Sequence, residues 1–143
     1  MLDQSGLDLL FNNARSQKAW IDRPVDEAVL RQVYDLAILG STSGNCLPMR
    51  VVFITSTEGK EKLRPTLGSN NVDKVITAPV TAIVAYDLEF AEYLSRLFPY
   101  GDAKSWFTGN QSLIQTTALR NSSLQGAYLM MAARAMGLDF GAM

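Results

Sequence analysis

The chain has 143 residues, 48% of them hydrophobic, with 13 basic against 14 acidic residues and a formal charge of −1. That size and apolar content suit one globular domain, 1–143, with a real core, and exclude a disordered chain. The balanced charge, without a basic stripe interleaved with aromatics, argues against a nucleic-acid partner, and the lack of histidine excludes Ser-His-Asp and Cys-His catalysis.

Taken in chain order, Leu7, Leu10, Phe11 and Ala14 recur at helical spacing and predict a short amphipathic helix. Residues 15–23 form a polar connection that contains Trp20. The next helix has the clearest punctuation. Asp26 is a good N-cap, Val25 and Leu30 occupy the positions of a hydrophobic staple, and Val29, Leu30, Val33, Tyr34 and Ala37 form its stripe. Gly40 is expected to supply a left-handed stop.

A polar loop, Ser41–Pro48, carries the single cysteine, Cys46. One cysteine forms no internal disulfide, so a reducing, cytoplasmic setting is the default, and with no histidine a metal site is not expected. Val51–Thr55 reads as a strand, Glu58–Leu67 as a short helix, Val80–Ala85 as a second strand and Glu89–Phe98 as a helix. A loop with Tyr100, Trp106 and Phe107 leads to a long helix, from about Ser112 to Met136, stopped by Gly137. The helix is rich in small residues and apolar nearly all round, so burial on several sides is expected. Its pattern suits a dimer interface and the centre of one monomer equally well. No signal peptide is visible, and the most apolar stretches are too short or interrupted to span a membrane. Few strands among long helical stretches predict an α+β fold.

Three polar clusters stand out. Arg15-Ser16-Gln17-Lys18 joins a guanidinium fork, a hydroxyl and an ammonium, a set that suits a phosphate. Ser41-Thr42-Ser43-Gly44-Asn45 offers hydroxyls and amides around a flexible glycine. Asn71 and Lys74, three apart, would share a face of a short helix. Each alone reads more simply as a solvated turn. Arg120 and Asn121, inside the apolar helix, would need polar partners. Cys46 has no base beside it and reads as a buried thiol, not a nucleophile.

The order of these clusters resembles the nitroreductase family along almost the whole chain. Ala14-Arg15-Ser16-Gln17-Lys18 is similar to the family's Arg-Arg-Ser-x-Arg/Lys start. Ser41 to Met49 is similar to its Pro-Ser/Thr-Ser-x-Asn-x-Gln-Pro-Trp loop, and Asn71 to Lys74 to its Asn-x-x-Lys. The stretches LRPTLGSNN, APVTAIVAYD, LFPYGDAKSWF and RNSSLQGAYLMMAARAMGLDFGAM are similar to a narrower group, the malonic semialdehyde reductases of bacterial pyrimidine (uracil) degradation.

The resemblance implies a nitroreductase-like fold: a central antiparallel or mixed sheet flanked by helices, with the long helix in a homodimer interface. It implies FMN bound between two chains and NADH or NADPH as reductant. Arg15, Ser16 and Lys18 would hold the phosphate and the ribityl or ring edge, Asn71 and Lys74 would reach the isoalloxazine, and Thr42, Ser43 and Asn45 would come from the partner. The implied reaction reduces a small carbonyl compound, 3-oxopropanoate, to 3-hydroxypropanoate. Chemistry would then rest on the cofactor, as expected for a chain with so few catalytic side chains. Departures are Ala14 for the first Arg, and Ser41, Leu47 and Met49 for the loop's Pro, Gln and Trp. Relatives continue past the sequence at Met143, so a C-terminally truncated chain is expected. A broad nitroreductase or quinone reductase, and a non-catalytic dimeric remnant, are the alternative readings.

Overall fold

The computed structural model describes residues 1–143. A single turn of helix, α1 (Gln4–Leu7), is capped by the Asp3 carboxylate and runs into a wider π turn, Asp8–Asn12. The expected amphipathic helix is thus broken, and Leu7, Leu9 and Phe11 lie exposed. Helix α2 (Glu27–Ala37) starts where its punctuation predicts, with Asp26 accepting from the Ala28 amide at 2.8 Å. Its buried stripe is Leu30, Val33 and Ala37.

Gly40 does not act as a left-handed stop; the left-handed glycines are Gly44, Gly109 and Gly137. Its lack of a side chain serves close approach instead. A Cβ there would lie 2.6 Å from the Tyr128 ring, well inside contact distance.

Strand β1 (Met49–Ile54) pairs antiparallel with β2 (Thr81–Tyr86), Val51 opposite Val84 and Val52 opposite Ile83. The sheet is antiparallel and has only these two strands. Alternation sends Met49, Val51 and Phe53 towards α2 and the long helix, while Val52 and Ile83 on the other face are exposed. Between the strands run α3 (Thr57–Leu63), capped by Ser56, and α4 (Val72–Thr77). The ammonium of Lys60 on α3 is buried and donates to the carbonyls of Ala78 (2.6 Å) and Ile76 (3.4 Å) at the end of α4. These carbonyls lie where a helix runs out of amide donors, so the cation satisfies them and favours the negative end of the helix. The expected helix after β2 is a tighter turn, Phe90–Tyr93, followed by a four-residue α5 (Leu94–Leu97).

The long helix α6 (Gln111–Ala135) threads two cores. Its first half packs Ala118 among Cys46, Phe90, Leu94, Ala103 and Phe107. Its second half packs Leu129, Ala132 and Ala133 against Val33, Ala37 and Met49. Gly137, at φ 77°, ends it as predicted. Burial on several sides does not hold within one chain. Leu113, Leu119, Leu124 and Tyr128 are exposed, and so is Arg120. No helix is long and apolar enough to cross a membrane.

Candidate functional site

The connection that carries the first cluster is tied to the helix that carries the third. Trp20, half-buried, donates from its indole Nε1 to the Lys74 carbonyl oxygen at 2.9 Å. This bond ties the connection after α1 to the first turn of α4. The end of the chain closes the same junction. The Gln17 amide donates to the Phe140 carbonyl at 3.0 Å, within a parallel bridge between Ser16 and Phe140. A Cβ on Gly141 would sit 2.6 Å from the Gln17 carbonyl oxygen and 3.0 Å from the Trp20 ring, so only glycine lets the tail run this close.

At this junction Arg15, Ser16 and Lys18 are exposed, and Asn71 and Lys74 are half-buried. Arg15 curls back to the carbonyls of Asn12 (2.9 Å) and Ala14 (2.7 Å) through one nitrogen, Nη1, which leaves the rest of its fork available. The chain's five ion pairs are Arg31–Glu27, Arg50–Asp87, Lys62–Glu58, Arg64–Glu61 and Lys104–Glu92. None uses Arg15, Lys18 or Lys74, which leaves these three cations without a carboxylate of their own. The side chains of Asn71 and Lys74 likewise take no hydrogen-bond partner from this chain. Such a donor set fits an anion together with a polar ring edge.

The second cluster lies elsewhere and is built differently. Its backbone is left-handed at Gly44 (φ 57°), Asn45 (φ 49°) and Leu47 (φ 38°). Asparagine tolerates that region; for leucine it is a strained conformation that the surroundings must enforce. Several contacts do so. The Asn121 side chain, 1% exposed, accepts from the Ser43 amide at 2.8 Å. Gln125, one turn further along α6 and also 1% exposed, accepts from the Met49 amide at 3.0 Å. Asn45 donates to the Leu97 carbonyl (2.8 Å), and Arg50 reaches the Leu47 carbonyl at 3.2 Å while pairing with Asp87. Thr42 Oγ1 accepts from the Leu47 amide at 3.3 Å. Burial pushes the Cys46 thiol above its ordinary pKa of 9.0, with the Thr42 hydroxyl offsetting part of that effect, so the thiol is protonated and inert.

Beside this loop lie the aromatics. Phe107 is core, edge-on to Phe90 at 4.9 Å. Trp106 is half exposed, packs on Phe98 at 5.5 Å and faces Gly44. A nearby hollow of about 290 Å³ between Ser95 and Lys104 is lined by none of the three clusters.

Within one chain, then, Trp20 ties the segment that follows 15–18 to the backbone of Lys74, while 42–45 are bonded to α6 and to Leu97. Sequence reasoning missed Trp20 as the bridge and Gln125 as a partner of the loop. Each carries a signal: a lone indole in a polar run, and an amide one turn after Asn121 in an apolar helix.

No family model matches the chain. A Burkholderia lata protein described as a candidate NADH dehydrogenase/NAD(P)H nitroreductase is 56% identical over 142 residues, covering 99% of this chain and 73% of the relative. Among solved structures, a candidate nitroreductase of Exiguobacterium sibiricum in complex with FMN superposes with a TM-score of 0.82 at 22% identity, covering 97% of this chain and 74% of that one. A candidate NAD(P)H:FMN oxidoreductase of Staphylococcus epidermidis gives 0.81 at 20% identity, covering 97% and 73%. The two structures share the fold, and the Burkholderia relative is close enough over enough of its length to decide the family: this chain belongs to the nitroreductase family.

Proposed function

We propose that the chain is a flavin oxidoreductase that binds FMN, takes reducing equivalents from NAD(P)H and passes them to a small carbonyl compound, 3-oxopropanoate. The observation that carries this is the junction of Arg15, Lys18 and Lys74, three cations left without an internal counterion beside the unpartnered amide of Asn71. The FMN named in the Exiguobacterium structure is an anion with a polar ring edge and suits such a donor set. When bound, FMN supplies the hydride-carrying centre of the reaction.

The chain's own residues do the rest. Arg15 and Lys18 offset the phosphate charge, with the Ser16 hydroxyl as a further donor. Lys74, half-buried, sets positive charge where the ring edge gains electron density, and Asn71 donates beside it. Thr42, Ser43 and Asn45 act from a second copy of the chain. That assignment draws support from the exposed apolar face of α6 formed by Leu113, Leu124 and Tyr128. The proton for the reduced carbonyl comes from water or from the flavin itself.

A second reading, a broad nitroreductase, is favoured by the name of the Burkholderia relative. Titrating the purified protein with FMN, then comparing NAD(P)H oxidation with 3-oxopropanoate and with a nitroaromatic, tests both. The proposal expects bound flavin and higher kcat/KM on the semialdehyde. Faster turnover of the nitroaromatic overturns the substrate assignment, and a protein that takes up no FMN overturns the site.

A further inference from the structure

The loop 41–48 contains three left-handed residues in four positions, Gly44, Asn45 and Leu47, yet it has no regular ladder of its own. Something outside it must hold it. Two amides on consecutive turns of α6 are placed to do so. Asn121 takes the Ser43 amide at the start of the loop and anchors its own Nδ2 on the Thr117 carbonyl at 2.8 Å. Gln125 takes the Met49 amide at the end of the loop. Both side chains are 1% exposed, so neither bond is exchanged for water at low cost.

We infer that Asn121 and Gln125 are positioning residues: they grip the two ends of the strained loop and thereby set the geometry of Thr42, Ser43 and Asn45. Their spacing of four residues stacks them on one face of α6, at about 6 Å of rise. The clamp is therefore as rigid as the helix that carries it. This inference rests on the reading of Thr42, Ser43 and Asn45 as flavin-facing groups. It adds that their arrangement is set in advance by α6 and not assembled by the ligand.

Cys46 makes the clamp measurable without flavin. It is the only cysteine, lies inside the loop and is 1% exposed, so its rate of modification by a thiol reagent reports loop opening. The experiment compares the wild type with Asn121→Leu, Gln125→Leu, the near-isosteric Gln125→Glu, and Leu129→Ala, a core control that removes no hydrogen bond to the loop. Each is measured for thiol modification without FMN, for FMN dissociation constant, for the visible spectrum of bound flavin and for melting temperature. The expected result is at least tenfold faster Cys46 modification and at least tenfold weaker FMN binding in both leucine variants, with an altered flavin spectrum. Gln125→Glu keeps an acceptor oxygen and, assayed at acidic pH where a buried carboxyl is neutral, should restore both to within about threefold. Leu129→Ala should lower the melting temperature while leaving FMN affinity within twofold. Cys46 modification in the leucine variants no faster than in Leu129→Ala overturns the clamp. So does accelerated modification with unchanged FMN affinity. A wild type that binds no FMN overturns instead the proposed function, and the thiol rates still decide whether the amides hold the loop.

Discussion

The two halves of the candidate site are held by opposite means. The loop 41–48 is gripped by its own chain: buried amides at both ends, an arginine on the Leu47 carbonyl, and a left-handed backbone no isolated peptide would favour. The junction of 15–20 with 71–74 is fixed by Trp20 and the Phe140–Gly141 tail, while the Lys18 and Lys74 ammonium groups take no partner from the chain and Arg15 bonds only two nearby carbonyls. Preorganisation therefore lies in the backbone of both regions, but cations without a counterion lie only in the second. A ligand gains most where donors are placed and not yet used. Substitutions should accordingly change affinity with little effect on stability at the junction, and both together at the loop.

The largest effect is expected from Lys74→Ala combined with Arg15→Ala. Each removes a charge-assisted contact of about 1.5–3 kcal/mol, so FMN affinity should fall by roughly 100-fold or more, read by flavin fluorescence titration. The melting temperature should hardly move, because neither side chain carries an ion pair within the chain. A large loss of stability with unchanged affinity would erase the contrast between the two regions.

On the loop side, Gly40→Ala drives a methyl to 2.6 Å from the Tyr128 ring and should cost about 1–3 kcal/mol in denaturant unfolding. A neutral result would mean that Tyr128 swings away freely. Leu47→Val is expected to cost about 1–2 kcal/mol more than Leu47→Gly, since a β-branched residue suffers most at φ 38° and glycine not at all. If valine and glycine prove equivalent, the loop is not held in its left-handed form.

The smallest effect concerns pH. Burial raises the Cys46 pKa in the folded state above its ordinary 9.0. Folding thus favours the protonated thiol. That stability is complete below the ordinary value and is lost as pH rises through the raised one, because the unfolded thiol ionises first. Cys46→Ala should flatten the fall in melting temperature on the alkaline side of pH 9, on top of a pH-independent decrease from the lost core contact.

Much was legible in the residues alone. The Asp26 cap, the α2 stripe, the Gly137 stop, both strands to within two residues and the start of α6 depend on neighbours a turn or a pleat away, so local pattern carries them. The site clusters were visible as residue types, and their order pointed to the family. The long helix shows where that reading ends. Its all-round apolar pattern suggested general burial, yet Leu113, Leu119, Leu124 and Tyr128 are exposed in the single chain, and the buried polar positions are Thr117, Asn121, Ser122 and Gln125 while Arg120 faces outward. Composition does not say which side of a nearly uniform helix meets the core.

Tertiary structure alone decided the rest. Trp20 meets Lys74 across 54 residues, Ser43 meets Asn121 across 78, and Met49 meets Gln125 across 76. Gly40 proved to be needed for an aromatic ring 88 positions away in sequence, by the difference 128 − 40, and not for a turn of its own. Such roles have no local signature, because the demand on each residue comes from a partner that only packing delivers. The chain by itself thus named the groups fit for a flavin; the fold decided which of them stand ready and which are already held.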